Sequence, residues 1–154
     1  MADDLLGLMR RVPSAVAVVT VSVEDADVGL TVDSLVSLSV EPALVGISIS
    51  RFAALHELLR EAAVFGVSVL AAGQEALAQH FARGVPPIAL WTGIERRAGS
   101  TGVPLLDGAL GWIECRLAGE HEIGDHTLFV GQVDAAELGS GLPLLHVGQS
   151  YRAL

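Results

Sequence analysis

The sequence predicts a mainly β protein, an antiparallel barrel that is closed or nearly closed and is capped by a few helices. Three observations carry this expectation. Six runs of strand length are rich in valine and isoleucine and are bounded by turn residues. The connections between most of them are short, so successive strands pair with their neighbours. Helical patterns are confined to three brief segments. At 154 residues, half of them apolar, the chain is long enough to bury a real core, and one domain over residues 1–154 is expected.

Residues 3–12 read as a helix, with Asp3 and Asp4 in its first turn, Arg10 and Arg11 in its last, and Pro13 stopping it. Residues 15–23 form a strong strand, residues 24–27 an acidic turn, and residues 28–32 the returning strand. The following stretch organises the rest of the chain. Thr31, Ser34, Ser37 and Ser39 crowd four hydroxyls together, and Pro42 then breaks the chain before an almost unbroken apolar strand at 43–49. Such a turn is either plain turn chemistry or one wall of a site for a neutral, planar, hydrogen-bonding ligand. Residues 53–62 read as a second helix, with Leu55, Leu58 and Leu59 inward and His56, Glu57, Arg60 and Glu61 in solvent. A buried strand at 64–70 and a third helix at 74–81 follow. Residues 83–102 read as loop, with a short strand at 91–95.

The longest hairpin joins 109–123 to 126–137 through Gly124 and Asp125. A regular two-residue turn sets Ile123 opposite His126 and His121 opposite Leu128. Alternation then predicts Ile113, Cys115, Leu117, His121, Ile123, His126, Leu128 and Val130 on the core face, with the two histidines at its rim. Glu114, Arg116, Glu120 and Glu122 fall on the other face. A bulge would shift this assignment by one residue.

Charge and composition exclude several functions. The net charge is −9, and all nine basic residues are arginine. Without lysine there is no Schiff-base chemistry and no P-loop, and the acid excess argues against a nucleic-acid partner. An anionic ligand must be held by arginine, backbone N–H groups or hydroxyls. Cys115 is the only cysteine, which leaves no disulfide framework and no thiolate metal site. It alternates with Ile113 and Leu117 as a buried thiol does. His56, His80 and His121 lack metal-ligand spacing and read as surface or rim residues, so no metal is expected. No apolar run spans a bilayer, and the acidic start has the wrong sign for a signal peptide. A soluble, cytoplasmic protein without a membrane partner is expected. High apolar content with few charges also suggests a surface covered by a second copy of the chain.

The run G-L-T-V-D-S-L-V-S-L-S-V-E-P-A-L-V at 29–45 resembles the signature of the short-chain flavin reductases, the flavin reductase-like, FMN-binding split-barrel family. Further segments match in order at 13–20, 65–70 with 74–82, 104–109 with 114–116, and 124–131. The resemblance implies a Greek-key split barrel, a homodimer, and NAD(P)H-dependent reduction of FMN or FAD that supplies a two-component monooxygenase. It places Thr31, Val32, Asp33 and Ser34 along the edge of the flavin ring. Ser48, Ser50 and Arg51 would follow the ribityl chain and phosphate, with Phe81, Ala82 and Arg83 close by. His146 and Tyr151 correspond to a C-terminal histidine or aromatic pair. His126, in the motif Gly-Asp-His-Thr, would reach the open ring face where NADH or NADPH stacks. From the residues alone, His126 reads equally as a hairpin-end side chain held by backbone.

The absence of G-x-G-x-x-G fits this family, in which the nicotinamide cofactor folds over the flavin rather than occupying a Rossmann site. Hydride transfer needs stacked rings and excluded water, not a triad. Ser34, Asp33 and His126 could be drawn as one, but no nucleophile elbow supports it. Three departures from the family pattern stand out. The hydroxyl-rich phosphate segment is replaced by Arg51-Phe-Ala-Ala-Leu55. Two arginines near the C-terminus are replaced by Gly148-Gln-Ser150. A ring-edge position that is usually small or an amide is Asp33, which either accepts from the flavin N3–H or faces water as an Asx-turn residue. Two hydroxyls missing at Ala53 and Leu55, at roughly 1.5–3 kcal/mol each, imply a loosely bound flavin. The alternative is a non-redox or flavin-free descendant that handles another planar molecule, with Asp33 and His126 as an acid–base pair.

Overall fold

The computed structural model describes residues 1–154. Helix α1 (Ala2–Met9) leads into β1 (Ser14–Ala15), β2 (Ala17–Val23), β3 (Ala26–Val32), β4 (Val36–Ser39) and β5 (Leu44–Ser50). Then come α2 (Ala54–Ala62), β6 (Val64–Val69), α3 (Glu75–Ala82), α4 (Pro87–Leu90), β7 (Arg96–Ala98) and β8 (Pro104–Leu106). The last third is a long hairpin, β9 (Gly111–Ile123) with β10 (His126–Leu138), and a short one, β11 (Leu144–Val147) with β12 (Ser150–Ala153).

Seven strands make one antiparallel sheet in the order β3-β2-β6-β9-β10-β5-β4, and α2 and α3 pack on it. The mainly β class is as expected, but the ladder of hydrogen bonds does not close. Strands β3 and β4 are both free edges. One side chain reaches from the end of β3 to β5. Ser34, just past β3, donates its hydroxyl to the Ser48 carbonyl at 2.9 Å and accepts from the Ser48 N–H at 3.0 Å. One hydroxyl thereby takes the place of a strand partner on β5. No helix is long and apolar enough to cross a membrane.

Strand β2 is buried on both faces, which explains its unbroken apolar reading. Its Val19 and Val21 join Ile47, Ile49, Phe65, Phe129 and Cys115 in the main core, closed by Leu55 and Leu59 of α2. Its Val18 faces a second core with Leu70, Ala78, Phe81, Leu106 and Leu144. Gly29 lets α3 approach β3: a Cβ there would lie 2.9 Å from the Phe81 ring.

The long hairpin keeps the expected register at its turn, with Ile123 opposite His126 and His121 opposite Leu128. Gly124 alone takes positive φ, +60°, as a type II′ turn requires. The expected faces do not hold along its length. Val130 lies opposite Gly119 but Gly131 lies opposite Leu117, so Ala118 is an extra, bulged residue. Ile113, Cys115 and Leu117 face the core, but beyond the bulge Thr127 and Phe129 point inward. His121, Ile123, His126, Leu128 and Val130 point outward, not into the core. Glu120 and Glu122 lie on the side of α2, where Arg60 holds Glu120 at 2.7 Å.

Three other expectations are corrected. The short strand expected at 91–95 is instead a turn following α4; Trp91 is fixed there by its indole N–H on the Asp27 carbonyl, and Arg96 stacks over it at 4.2 Å. His56 is no surface residue. It is 2% exposed, bonded through Nε2 to Thr127 Oγ1 at 2.7 Å and through Nδ1 to Glu57 at 2.8 Å, and set edge-on to Phe129. Glu114 is 6% exposed and fastens the 100–101 turn to β9, accepting from both backbone N–H groups and both hydroxyls of Ser100 and Thr101.

Burial alone would raise the Glu114 pKa, but these four donors together hold it below the usual carboxylate range. Because the folded value is the lower one, the carboxylate adds stability that is complete above the ordinary value of 4.5 and is lost as the pH falls through the folded value. Glu114→Gln should cost about 1–3 kcal/mol near neutrality. Thermal melts of both proteins should converge as the solution is acidified. A constant gap between them at all pH values would contradict this account.

Candidate functional site

Two groups of the expected residues come together in space. The first gathers at the end of β3. Thr31, Val32 and Asp33, with Val16, Ala82, His146 and Tyr151, line a cavity of about 210 Å3. The β11–β12 register sets His146 directly across from Tyr151, with the rings 5.3 Å apart. Asp33 is 59% exposed and lies 3.4 Å from His146 Nδ1. Burial, and then the charge of Asp33, raise the Tyr151 pKa, so its phenol stays a donor.

The hydroxyls here are partly committed. Thr31 donates to the Ala78 carbonyl at 2.6 Å and so ties α3 to β3. Ser34 is occupied by the backbone of Ser48. Both retain acceptor lone pairs, and the Asp33 carboxylate only accepts. The ring-edge side chains therefore offer acceptors, as an N3–H demands, and the structure supplies donors only through Tyr151, His146 and the backbone.

The second group lies on the outer face of β5 and β10. With Val45, Ile47 and Ile49 in the core, alternation turns Gly46, Ser48 and Ser50 outward. His126 is paired with Ser50, and Leu128 with Ser48. Asp125 Oδ1 holds His126 Nδ1 at 2.7 Å, and that bond is the main reason the Asp125 pKa is lowered. In the neutral imidazole, Nδ1 is then the N–H and Nε2 is left as an acceptor. Arg51 N–H donates to the Asp125 carbonyl at 3.0 Å, and its guanidinium lies 4.0 Å from Glu122. The two groups are neighbours: Ser34 is bonded to Ser48, and Ser50 is two residues, about 6.6 Å, further along the strand.

Not every expected residue joins them. Phe81 is buried, packed under Gly29 and against Trp91. Arg83 is the exposed C-cap residue of α3 and makes no hydrogen bond or ion pair. Asp33 and His126 do not pair with each other; each has its own partner, His146 and Asp125. The acid–base pair on which the non-redox alternative was built is not formed.

The phosphate segment also needs correction. Ala53 is the N-cap of α2 and supplies no side-chain cap, as expected from the missing hydroxyl. Leu55, however, lies in the main core, so a hydroxyl at that position would not reach an anion outside. One hydroxyl, at Ala53, is therefore missing rather than two.

One feature of the site carries no local signal. Leu6, Met9 and Arg10 of the α1 region, with Gln149, line a further cavity of about 200 Å3 that shares Asp33 and His146 with the first. The two ends of the chain meet here, where the Gly148 N–H bonds the Arg10 carbonyl at 2.7 Å.

A family model for the flavin reductase like domain matches residues 9–154. The chain belongs to the flavin reductase-like family. It is 37% identical to an NADH-dependent flavin reductase of Rhodococcus sp. over 95% of its own length and 82% of that protein. It is 38% identical to the reductase component of 4-hydroxyphenylacetate 3-monooxygenase from Thermus thermophilus, over 95% and 92% of the two chains. Among solved structures, the NADH:FAD oxidoreductase of Streptomyces globisporus superposes with a TM-score of 0.93 at 34% identity, covering 99% of this chain and 93% of that one. Against that family pattern, the uncapped α2 of this flavin reductase-like chain is open to direct test. Ala53→Ser should stabilise the protein by about 0.5–2 kcal/mol as a new N-cap. Leu55→Thr should destabilise it by about 2–5 kcal/mol through loss of core packing. Denaturant titration of the two single variants distinguishes them, and equal effects of the same sign would refute the placement of residue 55.

Proposed function

We infer that this chain reduces free FMN or FAD with NADH or NADPH and releases the reduced flavin to a flavin-dependent monooxygenase. The observation that carries this reading is the junction of the two residue groups. An acceptor-lined edge at Thr31, Asp33 and Ser34 meets the outward row Ser48, Ser50 and His126 at a shared hydrogen-bonded joint. The names of its relatives agree, since they include an NADH-dependent flavin reductase and a reductase component of a two-component monooxygenase.

The flavin and the nicotinamide supply the chemistry between them, a hydride passing from the second to the first. The chain's own residues bind and orient. Asp33 accepts from the ring N3–H and repels the negative charge that develops on reduction, which favours release. Ser48 and Ser50 follow the ribityl chain. Arg51 and the uncapped N-terminus of α2 face the phosphate, since backbone N–H groups at a helix start favour anions. His126, held by Asp125, borders the open ring face. Tyr151 and His146 close the far side of the ring-edge cavity.

A homodimer belongs to this reading. On the outer face, Val36, Leu38 and Leu128 crowd over Gly46, each within 3.2 Å of where its Cβ would stand. Val36 and Leu38 are themselves about half exposed, and Ile123 and Phe52, at the ends of β9 and β5, are largely exposed as well. This patch shares its face with Ser48, Ser50 and His126, so a partner copy covering it would border the flavin. Closure of the split barrel through side chains at the Ser34–Ser48 joint is part of the same proposal, as is residence in the cytoplasm, where reduced nicotinamide is available.

Purified protein should be colourless or faintly yellow and should oxidise NADH only when flavin is added. His126→Ala should lower kcat/KM about tenfold or more while leaving the melting temperature almost unchanged, because an exposed, solvent-screened pair adds little to stability. Absence of flavin-dependent NADH or NADPH oxidation under anaerobic conditions would sink the reading. Light scattering should give roughly twice the 16.0 kDa chain mass, and a monomer at every dilution would remove the dimer.

A further inference from the structure

Asp33 departs from the family pattern by its charge, and the fold gives it a titratable partner. Its side chain lines the ring-edge cavity and also the adjoining cavity by the α1 region, and His146 lines both as well. Nδ1 of His146 lies 3.4 Å from Asp33 Oδ2, an ion pair whenever the imidazole is protonated. Backbone pairing holds His146 in place from two sides, with Ser14 of β1 across from it on one and Tyr151 of β12 on the other.

Few other groups set the charge at this corner. Tyr151, its ring 5.3 Å from that of His146, stays a neutral phenol because burial, and then Asp33, raise its pKa. Arg10, the C-cap residue of α1, lines the second cavity and keeps its charge at every working pH. Ser14 carries none. Carboxylates ordinarily bear their charge above about pH 5, and imidazole is the side chain that ordinarily titrates between about pH 5 and 8. Over that range the Asp33–His146 pair passes from net neutral to net negative while its surroundings keep their charge.

Hydride transfer makes this charge matter. The hydride brings the flavin ring two electrons and one proton, and the dihydronicotinamide leaves as its oxidised cation, so the ring gains one negative charge. An unneutralised carboxylate at the ring edge opposes that gain, whereas an ion pair does not.

We propose that His146, acting through Asp33 as a positioning residue, sets the charge of the ring edge, so that the preference for oxidised over reduced flavin rises with pH. Reduced flavin is held in acid and released near neutrality. The proposal rests on the flavin-reductase reading given above. It is tested by anaerobic titration of the whole protein with oxidised and with reduced FMN from about pH 5 to about pH 8. The dissociation constant of the reduced form, divided by that of the oxidised form, should rise about tenfold across the range. Relative to free FMN, that lowers the two-electron potential of bound FMN by about 30 mV. His146→Gln should hold the ratio near its alkaline value throughout, apart from proton uptake by the reduced ring, which both proteins share. Asp33→Asn keeps an acceptor for the ring N3–H but loses the charge, and should lower the alkaline ratio about tenfold.

The same pH profile in the unmodified protein and in His146→Gln would overturn the role of His146. An unchanged ratio in Asp33→Asn would overturn the role of Asp33. Either result leaves the reductase reading standing. Failure to bind FMN or FAD in either oxidation state would overturn both. If His146→Gln fails to fold, Asp33→Asn at its exposed site and the pH profile of the unmodified protein decide the matter, a flat profile counting against the proposal.

Discussion

Strand β5 imposes the constraint on which the site depends. Its two neighbours, β10 and β4, hold it in register, and its pleat sends Val45, Ile47 and Ile49 into the core and Gly46, Ser48 and Ser50 out. A slip of one residue would bury the serines and expose the isoleucines, so burial of three β-branched side chains fixes where the hydroxyls stand. Antiparallel pairing then brings His126 beside Ser50 without a hydrogen bond between their side chains. Ser34 extends the arrangement across the open seam of the sheet by binding both backbone groups of Ser48. Core packing and site geometry are thus two faces of the same strand.

Electrostatics shapes what such a site can hold. A chain of net charge −9 has to bind an anionic substrate, and of its arginines Arg60, Arg96, Arg97 and Arg116 are engaged by carboxylates elsewhere. Arg51 is exposed and has a distant carboxylate partner, so its charge is partly screened. On the reading proposed above, the phosphate would be met mainly by backbone dipoles and one arginine, a weak grip that suits a substrate which must leave, and Asp33 would add repulsion once the ring is reduced.

Much of this was legible in the chain itself. The paired strands around an acidic turn, the Pro42 break, the apolar run of β5 and the Gly124-Asp125 turn are local signals. Turn chemistry and strand periodicity act over a few residues, and these sufficed for the strand order at the hairpins and for the register at His126. The five ordered motifs carried the family. The missing hydroxyl at Ala53 was also legible, as an absence at a helix start.

Other features were decided only by tertiary structure. The Ala118 bulge reversed the outer half of the long hairpin, because an extra residue leaves no mark on composition and yet inverts every later side chain. Glu114 and His56 looked like solvated polar residues. They are buried because Ser100 and Thr101, Thr127 and Phe129, remote in sequence, supply the partners that offset desolvation. Leu55 was read as a lost phosphate hydroxyl although its place in the helix pattern already marked it as apolar. Asp33 pairs with His146 rather than with His126 since the chain's two ends are brought together there by β1 pairing with β11. Local sequence determined which segments form strands and turns; only the packing of distant segments determined which polar side chains are sheltered, which face outward, and which of them meet.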